Sequence, residues 1–137
     1  MVRKFALAAA CLTACLFVVS SLTAADEKTP SIEDIMKKVP NKGRNKGLAA
    51  QCNDAAAAGK WEDCVKLAAE LKTLGDALGK NPCPKGDKAS WEKLTKGFAV
   101  NMETIEKGAK AKDAAAVKKG FDAFTKSCKA CHDSHRG

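Results

Sequence analysis

The sequence has no tyrosine, few aromatic residues of any kind, and no segment in which polar and apolar side chains alternate. Without that alternation nothing reads as a half-buried strand, which excludes the sheet-based fold classes. Long blocks of lysine or arginine are also missing, although the formal net charge is +8. The lysines are spread along helical faces and read as solvated surface, so no nucleic acid partner is expected. No dehydrogenase, peroxidase or hydrolase constellation is visible, so the chain reads as something other than an enzyme. Only four prolines occur. Pro40 interrupts an otherwise helical stretch, and Pro82 and Pro84 stiffen a single loop.

Residues 1–25 read as an export signal: Val2-Arg3-Lys4 is a short positive start, Phe5 to Val19 is apolar apart from Thr13, and small residues precede Asp26-Glu27. The apolar run is too short and interrupted to span a membrane. Cleavage after Ala25 would leave 26–137 as one domain with no transmembrane segment. Leu12-Thr13-Ala14-Cys15 also matches a bacterial lipobox, which would make Cys15 a lipid anchor instead. Either route predicts a periplasmic or otherwise exported bacterial protein. Loss of Arg3 and Lys4 lowers the net charge by two, and the surface stays basic.

What is present is helical periodicity in four stretches. The first starts at Ser31 with Ile32, Ile35, Met36 and Val39 on one face, breaks at Pro40-Asn41-Lys42-Gly43, and resumes near Arg44 through Leu48, Cys52 and Ala55 to Gly59. The second runs from about Lys60 to Leu78. The third, about Lys88 to Ala111, carries Trp91, Leu94, Phe98, Met102, Ile105 and Ala109 at steps of three and four. Asp113 caps the fourth, which reads Val117, Phe121, Phe124, Cys128, Cys131, His135. Short connections favour antiparallel neighbours, so the predicted fold is all-α, an up-down-up-down four-helix bundle. Its stripes are rich in alanine, and such a core would gain from a large apolar group at its centre.

The chain ends FDAFTKSCKACHDSHRG. Cys128-Lys129-Ala130-Cys131-His132 is C-x-x-C-H, the attachment pattern of c-type haem. Positions i, i+3 and i+4 share a helix face, so two thiols one turn apart can add across two vinyl groups while His132 faces the iron. A redox dithiol normally opens a helix after a strand, whereas this motif closes a helix in an all-helical chain. Zinc on Cys128, Cys131, His132 and His135 would need a tetrahedron from two turns of one helix, which the geometry disfavours. One covalent haem c, with Cys128 and Cys131 as thioether links and His132 as the proximal iron ligand, is therefore expected.

With four helices and C-x-x-C-H near its C-terminus, the chain resembles the class II c-type cytochromes, cytochrome c′ and its low-spin relatives, from about Ser31 to Arg136. In that family an aromatic and then a basic residue often follow the motif. Arg136 matches and is a candidate haem contact, with Arg136 or Arg44 as the candidate partner of a propionate, whereas His135 departs and would make the haem edge more polar. Helix register puts Met36 and His132 at the same end of the bundle, each about 6–8 Å from it. Low-spin relatives take a methionine from this helix as distal ligand, and Met36 is the matching position. The alternative is that Met36 is apolar filler, with Ile32 and Ile35 lining an open distal face.

Methionine ligation implies single-electron transfer with redox partner proteins, acidic ones if Lys126 and Lys129 steer them. An open iron implies binding of nitric oxide or carbon monoxide. Trp91, Phe98, Phe121 and Phe124 are candidate pocket walls, and Met102 is expected in the core. The resemblance also admits a homodimer through the first two helices. Outside the leader and the motif, Cys52 and Cys64 flank Gly59 at similar heights and form a candidate disulfide, with two buried thiols as the alternative. Cys83 has no evident partner, although it could replace either cysteine or link two chains.

Overall fold

The computed structural model describes residues 28–40 and 46–136. The export signal, the Cys15 lipobox, Arg44 and residues 41–43 of the break lie outside the described residues. Five helices make up the described structure: α1 Ile32–Lys38, α2 Leu48–Ala57, α3 Trp61–Leu78, α4 Lys88–Lys110 and α5 Ala114–His135. No strand occurs among the described residues. The architecture is the expected all-α bundle, with α1 and α2 together forming the first arm.

Local chemistry sets these boundaries. Ser31, Asp87 and Asp113 stand in extended backbone and accept the amides of Asp34, Ser90 and Ala116, which caps α1, α4 and α5. Gly59, with φ 69°, turns the chain between α2 and α3. The loop after Leu78 carries Pro82 and Pro84 and delivers the chain to Asp87. Lysines along α1, α3, α4 and α5 pair with acids one turn away, as in Lys37–Glu33, Lys66–Glu62, Lys107–Glu103 and Lys118–Asp122. Exposed pairs of this kind contribute only about 0.3–0.5 kcal/mol each, so packing dominates.

In that packing α3 lies between α2 and α4, and α5 closes the bundle against α4 and α2. Leu71, Leu78, Met102, Ile105 and Val117 are fully buried, joined by Ile35 and Val39 from α1. Met102 is thus core, as expected. Alanines 49, 55, 56, 68, 77 and 109 fill the remaining inner positions with little bulk. At the α4–α5 turn the two helices approach closely because Gly120 has no side chain. A Cβ there would lie 2.7 Å from Ile105 Cγ1 and 3.1 Å from the Asn101 carbonyl. At the opposite end the bundle holds a cavity.

Candidate cofactor site

The cavity encloses about 740 Å³ where α1 starts, α3 and α5 end and α4 begins. Leu78 of α3, Trp91, Leu94 and Phe98 of α4, and Phe124 of α5 give it apolar walls. Ile32 and Met36 of α1 form a further wall, while Lys37, Pro84 and Arg136 stand among its outer residues. Phe98 and Phe124 meet edge to face, with ring centroids 5.6 Å apart. Trp91 is fixed by its Nε1–H, which donates to the Asn81 carbonyl at 3.1 Å. Asn81 in turn donates from Nδ2 to the Pro30 carbonyl at 3.0 Å, tying the entry of α1 to the loop between α3 and α4.

The last turns of α5 present the chemistry. Cys128, Cys131 and His132 all line the cavity, as their i, i+3, i+4 spacing predicts. Cys128 Sγ is 3.3 Å from the Phe124 carbonyl, to which it donates. Burial, with a smaller contribution from the neighbouring Cys128, raises the Cys131 pKa and keeps its thiol protonated. His132 is exposed at the mouth of the cavity.

Met36 is half-buried and faces this same cavity from α1, and Arg136 is exposed at its rim. Trp91, Phe98 and Phe124 are walls as expected. Phe121 is not; it packs beside Phe124 at the edge of the core, with centroids 6.4 Å apart. Ile35, read as a distal wall, is instead fully buried in the core, because a helix of seven residues can turn only one narrow face to the cavity. Lys126 and Lys129 are exposed, and Lys129 pairs with Asp133 at 2.5 Å.

His135 corrects a sequence expectation. The residue is only 3% exposed, and its ring meets Trp91 edge-on with centroids 5.4 Å apart. Its Nδ1 is 2.6 Å from the Lys85 carbonyl and its Nε2 3.1 Å from Ser90 Oγ. The ring borders the cavity, but its polarity is taken up by the loop and by α4 instead of being offered to the pocket. The clamp on Ser90 and Lys85 was not visible in the sequence. Gly86, with φ 83°, was the available signal: a Cβ there would lie 2.7 Å from the Ser134 carbonyl.

Cys52 and Cys64 face each other from α2 and α3, their sulfurs 3.4 Å apart. Cys83 is half-buried, with Sγ 3.1 Å from the Lys85 carbonyl. No group of three or more metal-ligating residues occurs among the described residues. No described helix is long and apolar enough to cross a membrane.

Residues 86–136 match the family model described as Cytochrome C′, a span that contains α4, α5 and the cysteine motif. The hairpin that carries the site is therefore that of a class II c-type cytochrome, a family of four-helix, haem-binding proteins. No curated protein and no solved structure matches the chain. The residues present fit a haem: an apolar cavity of about 740 Å³, two thiols one turn apart on its wall, and an imidazole beside them.

Proposed function

We propose that the protein is an exported, periplasmic single-electron carrier holding one covalent haem c. Cys128 and Cys131 would supply its thioether links, His132 its proximal ligand and Met36 its distal ligand. The observation that carries this reading is that Met36 and His132 line one cavity from separate helices, α1 and α5. Bound haem would supply a one-electron iron couple. The chain's own part would be to hold that group through Cys128, Cys131, His132 and Met36 and to surround it with apolar side chains. Leu78, Trp91, Leu94, Phe98 and Phe124 exclude water from the cavity, and a thioether ligand favours the reduced state. Arg136 at the rim would pair with an acidic substituent of the ring. Exposed Lys126 and Lys129 suit an acidic redox partner, and the protein would act as a carrier instead of an enzyme.

One observation favours a second reading, a five-coordinate binder of nitric oxide or carbon monoxide. Ile32 shares the α1 wall with Met36 and could leave an apolar distal face. The deciding experiment uses protein produced with haem-attachment machinery. Under the first reading the reduced wild type is low-spin and does not respond to carbon monoxide, whereas Met36→Ala binds it fully. A wild type that is high-spin and binds carbon monoxide at once would make gas binding the function.

A further inference from the structure

Among the cysteines outside the cavity, one pair stands apart. Cys52 and Cys64 are both fully buried, with sulfurs 3.4 Å apart. Each Sγ also lies 3.5 Å from the other residue's backbone carbonyl. This reciprocity means that the two side chains project toward one another across the α2–α3 hairpin, at matching heights. A disulfide needs a sulfur separation of about 2.0 Å, so the two facing sulfurs have only about 1.4 Å to close.

We propose that Cys52 and Cys64 are joined by a disulfide that staples α2 to α3, a proposal that rests on the export proposed above. One thiolate attacks the disulfide of a thiol-oxidising protein, forming a mixed disulfide. The second thiolate displaces that protein as its dithiol. Two S–H bonds are lost and one S–S bond forms, while the oxidant's disulfide accepts two electrons and two protons. Burial, reinforced by the Cys64 thiol, pushes the Cys52 pKa far up, so little thiolate exists in the folded domain. The bridge therefore forms while the hairpin assembles and afterwards resists reductant. It is a fixed link, not a switch.

The fold keeps Cys52 and Cys64 away from the other described cysteines. Fourteen residues of α3 separate Cys64 from Leu78, a rise of about 20 Å, and Cys83 lies beyond that end. Cys128 and Cys131 line the cavity at the same far end. Bridging Cys52 to Cys64 early removes two thiols that, before the chain folds, could pair with the cofactor cysteines. The staple also acts where packing is thin. The buried side chains of α2 are Ala49, Cys52, Ala55 and Ala56, which bury little apolar area. Through the 3.3 Å bond from the Ala49 amide to the Val39 carbonyl, α2 also anchors the arm that carries Met36.

The test is peptide mapping of the full chain, exported with its haem, denatured and alkylated with iodoacetamide without reductant. A Cys52–Cys64 cross-linked peptide with Cys83 alkylated is expected. Alkylation of both Cys52 and Cys64, or a cross-link from either to Cys83, would overturn the proposal. Haem on the Cys128–Cys131 peptide is read separately, so its absence beside an intact bridge would sink the cytochrome function alone. A Cys52→Ala, Cys64→Ala double variant should keep the haem spectrum and unfold roughly 10 °C lower. Reductant during unfolding should lower the wild-type midpoint and leave the variant unchanged; equal response of both would refute the staple.

Discussion

Ser90 Oγ lies 3.1 Å from His135 Nε2, which joins the first turn of α4 to the last turn of α5. On the other side of the ring Nδ1 faces the Lys85 carbonyl, which can only accept. In the neutral ring Nδ1 therefore carries the proton, and Nε2 accepts from the serine hydroxyl. Both nitrogens are used, so the residue that replaces an aromatic in this family pattern still packs as one against Trp91. His135→Ala should cost about 1–3 kcal/mol, since a buried ring packed on Trp91 is lost together with its part-buried contacts to Lys85 and Ser90. His135→Phe should recover part of that loss through ring packing while leaving residues 83–87 less protected. Urea unfolding and hydrogen exchange of that loop measure the two effects. A loop equally protected in both variants would mean that His135 does not hold it.

Close approach of α4 and α5 makes two glycines behave oppositely. Gly120→Ala puts a methyl 2.7 Å from Ile105 Cγ1 and 3.1 Å from the Ile105 amide, and should destabilise by about 1–3 kcal/mol. Gly97, on the exposed face of α4, has nothing within 4 Å of an added Cβ. Gly97→Ala should stabilise by about 0.8–1 kcal/mol through helix propensity. Denaturant midpoints of the two single variants decide both signs.

The thiols of α5 can be tested one at a time. Wild-type protein should retain its haem after acid-acetone extraction. Cys131→Ala should retain it through Cys128 alone, with a shifted haemochrome spectrum. Removal of both cysteines should release all of it into the solvent. Haem that stays with the double variant would show that attachment runs through other residues.

At the start of α1, Ser31 Oγ accepts the Asp34 amide and donates to the Asp34 carboxylate at 2.7 Å. That hydrogen bond from Ser31 outweighs an opposing desolvation effect and, with the Ser31 backbone bond and lesser help from Lys37 and Lys38, lowers the Asp34 pKa below its ordinary 3.8. A lowered folded pKa stabilises fully above the unfolded value and is lost as pH falls through the folded one. Protection of the α1 amides should therefore decline below about pH 4. Asp34→Asn should show reduced protection at neutral pH and no further decline in that acid window. Unchanged acid loss in the variant would assign it to another group.

Much of this was legible before the fold was known. Caps at Ser31 and Asp113 are local signals, and the C-x-x-C-H spacing is fixed by a single helix. The proline-rich loop and the break after α1 were equally plain. Facing directions in short or peripheral elements were harder. Ile35 and Met36 are adjacent in a helix of seven residues, and only packing against α3 decides that Ile35 enters the core while Met36 borders the cavity. Phe121 and Phe124 share a stripe, yet only the second reaches the cavity wall while the first packs at the edge of the core. The approach of Gly86 to Ser134 joins residues far apart in sequence and leaves no local pattern beyond a glycine.

Helix α1 is too short to persist in water by itself. It exists because Ile35 and Val39 find sockets on the bundle and because Asn81 grips its entry. One wall of the cavity is thus an interchangeable part, outside the α4–α5 hairpin that carries the thiols and the imidazole. Under the proposed function, exchanging the cavity-facing side chains Ile32 and Met36 would move a descendant between a closed and an open iron without rebuilding its scaffold. The thiols and the imidazole stay on the hairpin, while the cavity-facing positions of α1 can diversify around a fixed, buried Ile35.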